Sequence, residues 1–217
     1  MSLIIFSCSP RPKNTSNTAA IAEAFRNGFL SDKKDNADIY YISERSKWNS
    51  FKNIFKENNE IIFAMPLFVE CIPGLLLEFL ETLEPKDADT KIGFILQGGF
   101  EEACQLRTCE KYLEKLPSYF NCKYSGTLIK GGMFALSIVS GKSRAKKLQP
   151  FFEMGKIYSK EKLFEKSTVT KFASPEKYSA FMMIIATLLS PVSKIAWKFI
   201  ARKFGANGRL DARPFEI

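Results

Sequence analysis

The chain has 217 residues, room for one large domain or a domain with an appendage, and its 46% hydrophobic and 25% charged residues fit a globular protein with a sizeable core. It has no histidine, which removes Ser-His-Asp triads, Cys-His dyads and histidine-ligated metal sites together. The formal net charge of +9 is lopsided: residues 1–100 carry 11 Lys/Arg against 13 Asp/Glu, and residues 101–217 carry 21 against 10. No nucleic-acid motif accompanies the basic half, so scattered surface lysines explain it better than a nucleic-acid partner. The five cysteines are odd in number and contain no C-x-x-C pair, so no disulfide framework is expected. Met1-Ser2 leads straight into an apolar run without a basic leader, and a cytoplasmic location is expected. The longest uncharged apolar run, Tyr178 to Ser193, falls short of the roughly 18–20 residues a membrane span needs and contains Pro191.

In chain order, Leu3-Ile4-Ile5-Phe6 is a continuous apolar run, as in a parallel strand buried on both faces. Ser7 to Thr18 is a polar loop, after which Ile21, Phe25 and Phe29 recur four apart on one face of a helix. Asp38 to Ile42 is a second strand, followed by a short helix around Phe51, Ile54 and Phe55. Ile61 to Met65 is a third strand ended by Pro66, and Leu75 to Leu83 a leucine-rich helix. Ile92 to Leu96 is a fourth strand, then a helix through Ala103, Leu106, Tyr112, Leu113 and Leu116, then a fifth strand from Tyr124 to Ile129. Strands alternating with helices require a parallel sheet covered on both faces. The expected architecture is therefore an α/β, doubly wound, five-stranded sheet of order 2-1-3-4-5. In that order a ligand lies beyond the carboxyl ends of the strands where the winding reverses, at the loops after Phe6, Met65 and Leu96. Ser174-Pro175 and Ser190-Pro191 read as two helix starts, the first helix apolar nearly all round and the second basic and amphipathic. Residues 1–173 are the expected ligand-binding domain, and residues 174–217 a helical extension packing on it or on a dimer partner.

The first loop joins a buried strand to a helix N-terminus and gathers Ser9, Arg11, Asn14, Thr15, Ser16, Asn17 and Thr18. Hydroxyls, amides and the unpaired N–H groups of a first helical turn are what a phosphate needs. A simple N-cap would use only Ser16 or Asn17, so the crowding favours phosphate. Neither a G-x-G-x-x-G nor a Walker A sequence is present.

Ser9-Pro10-Arg11 followed by Ser16-Asn17-Thr18 resembles the S-P-R…[GS]-N-[TS] loop of the NAD(P)H-dependent FMN reductase-like family, which has the flavodoxin-like fold. Cys8 replaces that family's usual glycine, and the spacer from Arg11 to Ser16 is longer. The loop Pro66-Leu67-Phe68-Val69 through Pro73-Gly74 is similar to the family's P-[LI]-Y-x(4)-P-[GA], with Phe68 in place of tyrosine; read without the resemblance, Phe68 serves the core equally well. Gln97-Gly98-Gly99-Phe100-Glu101-Glu102 resembles its G-F-x-E segment, and is otherwise a glycine turn at a capped helix start. Trp197, Gly205-Ala206-Asn207 and Arg213-Pro214-Phe215 echo the C-terminus of some members. The resemblance implies FMN held by these three loops, with NAD(P)H as co-substrate and a quinone, free flavin or other small molecule as electron acceptor. The four-cysteine run of cluster-bearing relatives is missing, so no iron–sulfur cluster is expected. Arg144, Lys146 and Lys147 are candidates for attracting the dinucleotide, and equally suit a solvated face. An electron carrier and a flavin-free binding module are the alternatives; the basic charge and long tail speak against the carrier. For the tail, a homodimer interface or packing layer is favoured over a membrane-surface anchor, since its first helix lacks a charged face.

Overall fold

The computed structural model describes residues 2–32, 36–86, 89–173 and 175–206. Its strands are β1 (Ser2–Ser7), β2 (Asn36–Tyr41), β3 (Glu60–Pro66), β4 (Lys91–Gln97) and β5 (Lys123–Lys130). They form one parallel sheet of order β2-β1-β3-β4-β5, the order expected from the alternating pattern. The winding reverses between β1 and β3.

Both faces of the sheet are apolar, which is why the strands read as continuous hydrophobic runs rather than alternating ones. Ile4, Phe6, Ile61, Phe63, Met65, Phe94 and Leu96 point to one side. There Phe6 stacks on Phe63 at 5.3 Å between ring centroids. Helices α2 (Trp48–Glu57), α3 (Gly74–Leu80) and α4 (Arg107–Lys115) supply Phe51, Phe55, Leu76, Phe79 and Leu113 to that layer. Leu3, Ile5, Ile62, Ala64, Ile95 and Leu128 point to the other side, beneath α1 (Asn17–Phe29), α5 (Gly141–Glu161) and α6 (Lys166–Ala173).

Helices α5 and α6 occupy the stretch whose sequence pattern is least informative, and α5 runs 21 residues through Pro150. It lies against α1 at unusually short range. A Cβ on Gly28 would stand 1.8 Å from the Phe152 carbonyl oxygen, and one on Gly155 2.0 Å from that of Phe25. Each helix therefore carries a glycine where the other's backbone passes.

By its contacts the chain divides into residues 1–177 and 178–217. Pro175 and Glu176 belong to the first unit: their carbonyls accept from the Ala103 and Cys104 amides, and Glu176 pairs with Arg107 at 2.7 Å. The helix expected from Pro175 consequently starts later. In the second unit α7 spans Ala180–Leu188 with Ser179 as its N-cap, accepting from the Met182 amide at 3.3 Å. Helix α8 spans Ser190–Lys203, with Pro191 in its first turn as expected. Asn207 and Arg213-Pro214-Phe215 lie outside the described residues.

Candidate functional site

The loops after β1, β3 and β4 sit together at the carboxyl edge of the sheet, at the reversal point. Hydrogen bonds join them: the Leu67 amide donates to the Gln97 carbonyl at 2.8 Å, the Cys8 amide to the Ala64 carbonyl at 2.7 Å, and Gln97 Nε2 to Thr18 Oγ1 at 3.5 Å.

In the first loop Ser9, Ser16 and Thr18 are buried, Ser16 and Thr18 at the start of α1. Ser16 is the N-cap, its Oγ accepting from the Ala19 amide at 3.1 Å. That bond leaves the Asn17 and Thr18 amides without an intrahelical acceptor, at the positive end of the helix dipole. Ser9 Oγ accepts from the Arg11 amide at 3.2 Å. Arg11 and Asn14 are exposed, and the Arg11 guanidinium has no ionic partner among the described residues. Lys13 is engaged away from the helix start: it lies over the Tyr41 ring and 3.4 Å from Glu23, and hydrogen bonding to the Tyr41 hydroxyl, then to Glu23, raises its pKa. A groove of about 490 Å³ opens beside the loop, lined by Pro12, Lys13, Asn14, Ser16, Glu23 and Arg144. Arg144 also donates to the Leu136 carbonyl.

The side chain of Asn17 is committed elsewhere. Its Nδ2 donates to the Met133 carbonyl at 3.1 Å and to Ser137 Oγ at 2.9 Å. Only its backbone is left for an anion.

In the second loop Pro66 is buried, Leu67 half-buried, and Phe68 and Val69 exposed at 46% and 95%. Phe68 and Cys71 exchange both backbone hydrogen bonds, at 2.9 and 3.0 Å, around a two-residue turn. Its central residues Val69 and Glu70 have φ of 47° and 65°. Such turns favour Asn-Gly, and a β-branched residue at positive φ is strained.

In the third loop Gly98 is buried against Leu106, whereas Gly99 is exposed and a Cβ there would meet nothing nearer than 3.8 Å. Phe100 is 76% exposed. The open backbone is therefore that of Gly99, where a Cβ would meet only Phe134, and Phe68 and Phe100 are exposed on the second and third loops.

A fourth loop, after β5, carries a role that the sequence reading did not assign. The Gly132 amide donates to the Phe100 carbonyl at 2.7 Å and the Met133 amide to the Gly98 carbonyl at 2.9 Å. A Cβ on Gly131 would lie 2.3 Å from the Glu101 carbonyl oxygen and 2.4 Å from that of Phe100. This loop holds the glycine loop on one side and Asn17 on the other. The Gly131-Gly132 pair directly after a strand was its sequence signal.

The thiols at the site differ. Cys8 is buried, its Sγ donates to the Phe6 carbonyl at 3.2 Å, and burial raises its pKa well above that of an ordinary thiol. Cys71 is exposed.

A scan of protein-family models and a search of curated proteins found no match. Solved structures do match. An FMN-dependent NADH-azoreductase from Bacillus anthracis, in complex with FMN, aligns with 75% of this chain and 99% of its own at a TM-score of 0.55 and 10% identity. An NADH:FMN oxidoreductase in apo form aligns with 77% and 92% at 0.56 and 17% identity. An NAD(P)H:quinone oxidoreductase from Methanothermobacter marburgensis aligns with 72% and 96% at 0.51 and 16% identity. With the sheet order, these likenesses establish that the chain has the flavodoxin-like fold.

Proposed function

We propose that the chain is an FMN-binding oxidoreductase that uses NAD(P)H and reduces a quinone, free flavin or other small acceptor. The observation that carries the reading is the constellation at the start of α1. The first loop offers three buried hydroxyls, two amides without intrahelical acceptors and an Arg11 with no ionic partner among the described residues, and the second and third loops at the same sheet edge carry exposed Phe68, Gly99 and Phe100. The hydroxyl and amide set suits a phosphate, and the apolar open edge suits a flat ring. Solved structures of the same fold include one named as an FMN-dependent NADH-azoreductase and one named as an NADH:FMN oxidoreductase, which supports the reading.

In this proposal Ser9, Arg11, Asn14, Ser16, Thr18 and the Asn17 backbone hold the phosphate. The segments 66–69 and 97–100 take the ring. Bound there, FMN supplies hydride acceptance from the reduced nicotinamide and electron delivery to the acceptor. The chain's side chains bind, orient and shield. Arg144, beside the phosphate loop, and Lys146 and Lys147, two and three residues further along α5, attract the anionic dinucleotide.

The test is the visible spectrum of the purified protein after FMN is added and excess removed. A retained flavin band that NADH or NADPH bleaches is the expected result. Bleaching by dithionite alone identifies an electron carrier, and a protein that retains no FMN refutes the reading.

A further inference from the structure

Helices α7 and α8 contain no buried residue. Phe181, Ile184 and Leu188 on α7 and Val192, Ile195 and Phe199 on α8 are each between 58% and 74% exposed. Exposed apolar surface of this extent on consecutive turns marks a surface built to be covered. What covers it follows from charge. From Ser179 to Ser193 there is no charged residue, and then Lys194, Lys198 and Arg202 recur four apart along α8, one stripe beside the stripe of Val192, Ile195 and Phe199. Between Tyr178 and Ala206 there is no acidic residue at all.

A second copy of this chain suits that surface poorly. Residues 178–217 carry six Lys/Arg against two Asp/Glu, so a two-fold contact would press two cationic segments together. A span by one straight helix does not fit either. Among the described residues no single helix is long and apolar enough, and the α7–α8 pair satisfies the requirement only jointly, bent by 67°.

We propose that α7 and α8 dock this protein on an anionic phospholipid bilayer. Uncharged α7, about 14 Å long, enters one leaflet, and α8, about 21 Å long, lies at the headgroups with its cations on the lipid phosphates. Long lysine and arginine side chains reach outward while their stems stay in the apolar layer. Each cation near an anionic surface raises partitioning about fivefold.

Flotation of the full chain with vesicles tests this. The protein should rise with phosphatidylcholine–phosphatidylglycerol vesicles, stay below with phosphatidylcholine alone, and be released by high salt. The triple variant K194E/K198E/R202E should bind anionic vesicles at least about a hundredfold more weakly, three fivefold factors combined. Trp197 emission should shift to the blue on binding, with Trp197→Phe isolating the contribution of Trp48. Phe181→Ser with Leu188→Ser should weaken binding while keeping its salt dependence. Equal flotation on neutral vesicles overturns the proposal, as does a full chain that floats with neither. So does a dimer in light scattering, dispersed by Phe181→Ser with Leu188→Ser, in a protein that ignores vesicles.

Discussion

Replacing Gly131 with alanine tests whether the loop after β5 is the clamp that holds the glycine loop after β4. The new Cβ would lie 2.3 Å from the Glu101 carbonyl oxygen and 2.4 Å from that of Phe100, where ordinary contact begins at 3.4 Å. Both obstacles are backbone, so no rotamer change relieves them, and the loops must separate by about 1 Å. That separation stretches the bonds from Gly132 to Phe100 and from Met133 to Gly98. Overpacking costs roughly 1–3 kcal/mol and each weakened hydrogen bond about 1 kcal/mol, so the variant should lose about 2–4 kcal/mol. For a domain of this size that lowers Tm by roughly 5–15 °C. Gly99→Ala, on the open side of the same loop with nothing nearer than 3.8 Å, should stay within about 0.5 kcal/mol of the parent. Thermal melts of the two variants, followed by circular dichroism, decide the matter, with FMN titration as a second reading. If Gly131→Ala melts with Gly99→Ala and takes up FMN equally, the clamp argument is wrong.

Ser16→Ala removes the N-cap of α1 and should destabilise by about 1 kcal/mol while weakening FMN retention, measured by denaturant unfolding and equilibrium dialysis. Gly28→Ala meets the Phe152 carbonyl and should force α1 and α5 apart, with a loss of soluble folded protein that Gly74→Ala, whose Cβ meets nothing, does not show. Burial raises the pKa of Cys109 to about 11 and that of Cys8 well above the ordinary thiol value. The unfolded chain therefore releases these protons first as pH climbs past about 9, and stability should fall with rising pH there, less steeply in Cys109→Ala. Alkylation at mildly alkaline pH should modify exposed Cys71 well before Cys8, as peptide mapping would show.

Continuous apolar strands made the sheet legible, because a parallel sheet covered on both faces needs Phe6, Phe63 and Phe94 on one side and Ile5, Ile62 and Ile95 on the other. Sheet order then located the loops. The sequence reading was weaker where the decisive contact is long-range. Nothing local to Asn17 says that its side chain is held by Met133 and Ser137, more than a hundred residues away. Helix α5 was unreadable for a similar reason: Lys142 to Lys147 are mostly polar and Pro150 breaks the pattern, yet Phe151, Met154 and Tyr158 are buried against α1. The start of α7 was misplaced because Pro175 resembles a helix opening, whereas its carbonyl is taken by Ala103.

The Val69-Glu70 turn sets a different kind of constraint. Asn-Gly at these two positions would satisfy the same backbone without strain. Two residues ill suited to their φ angles, one of them 95% exposed, contribute little to holding the chain together. Exchanging the turn for Asn-Gly should therefore give a sturdier protein, and any loss it shows should fall on what binds beside Phe68 and Val69 rather than on folding.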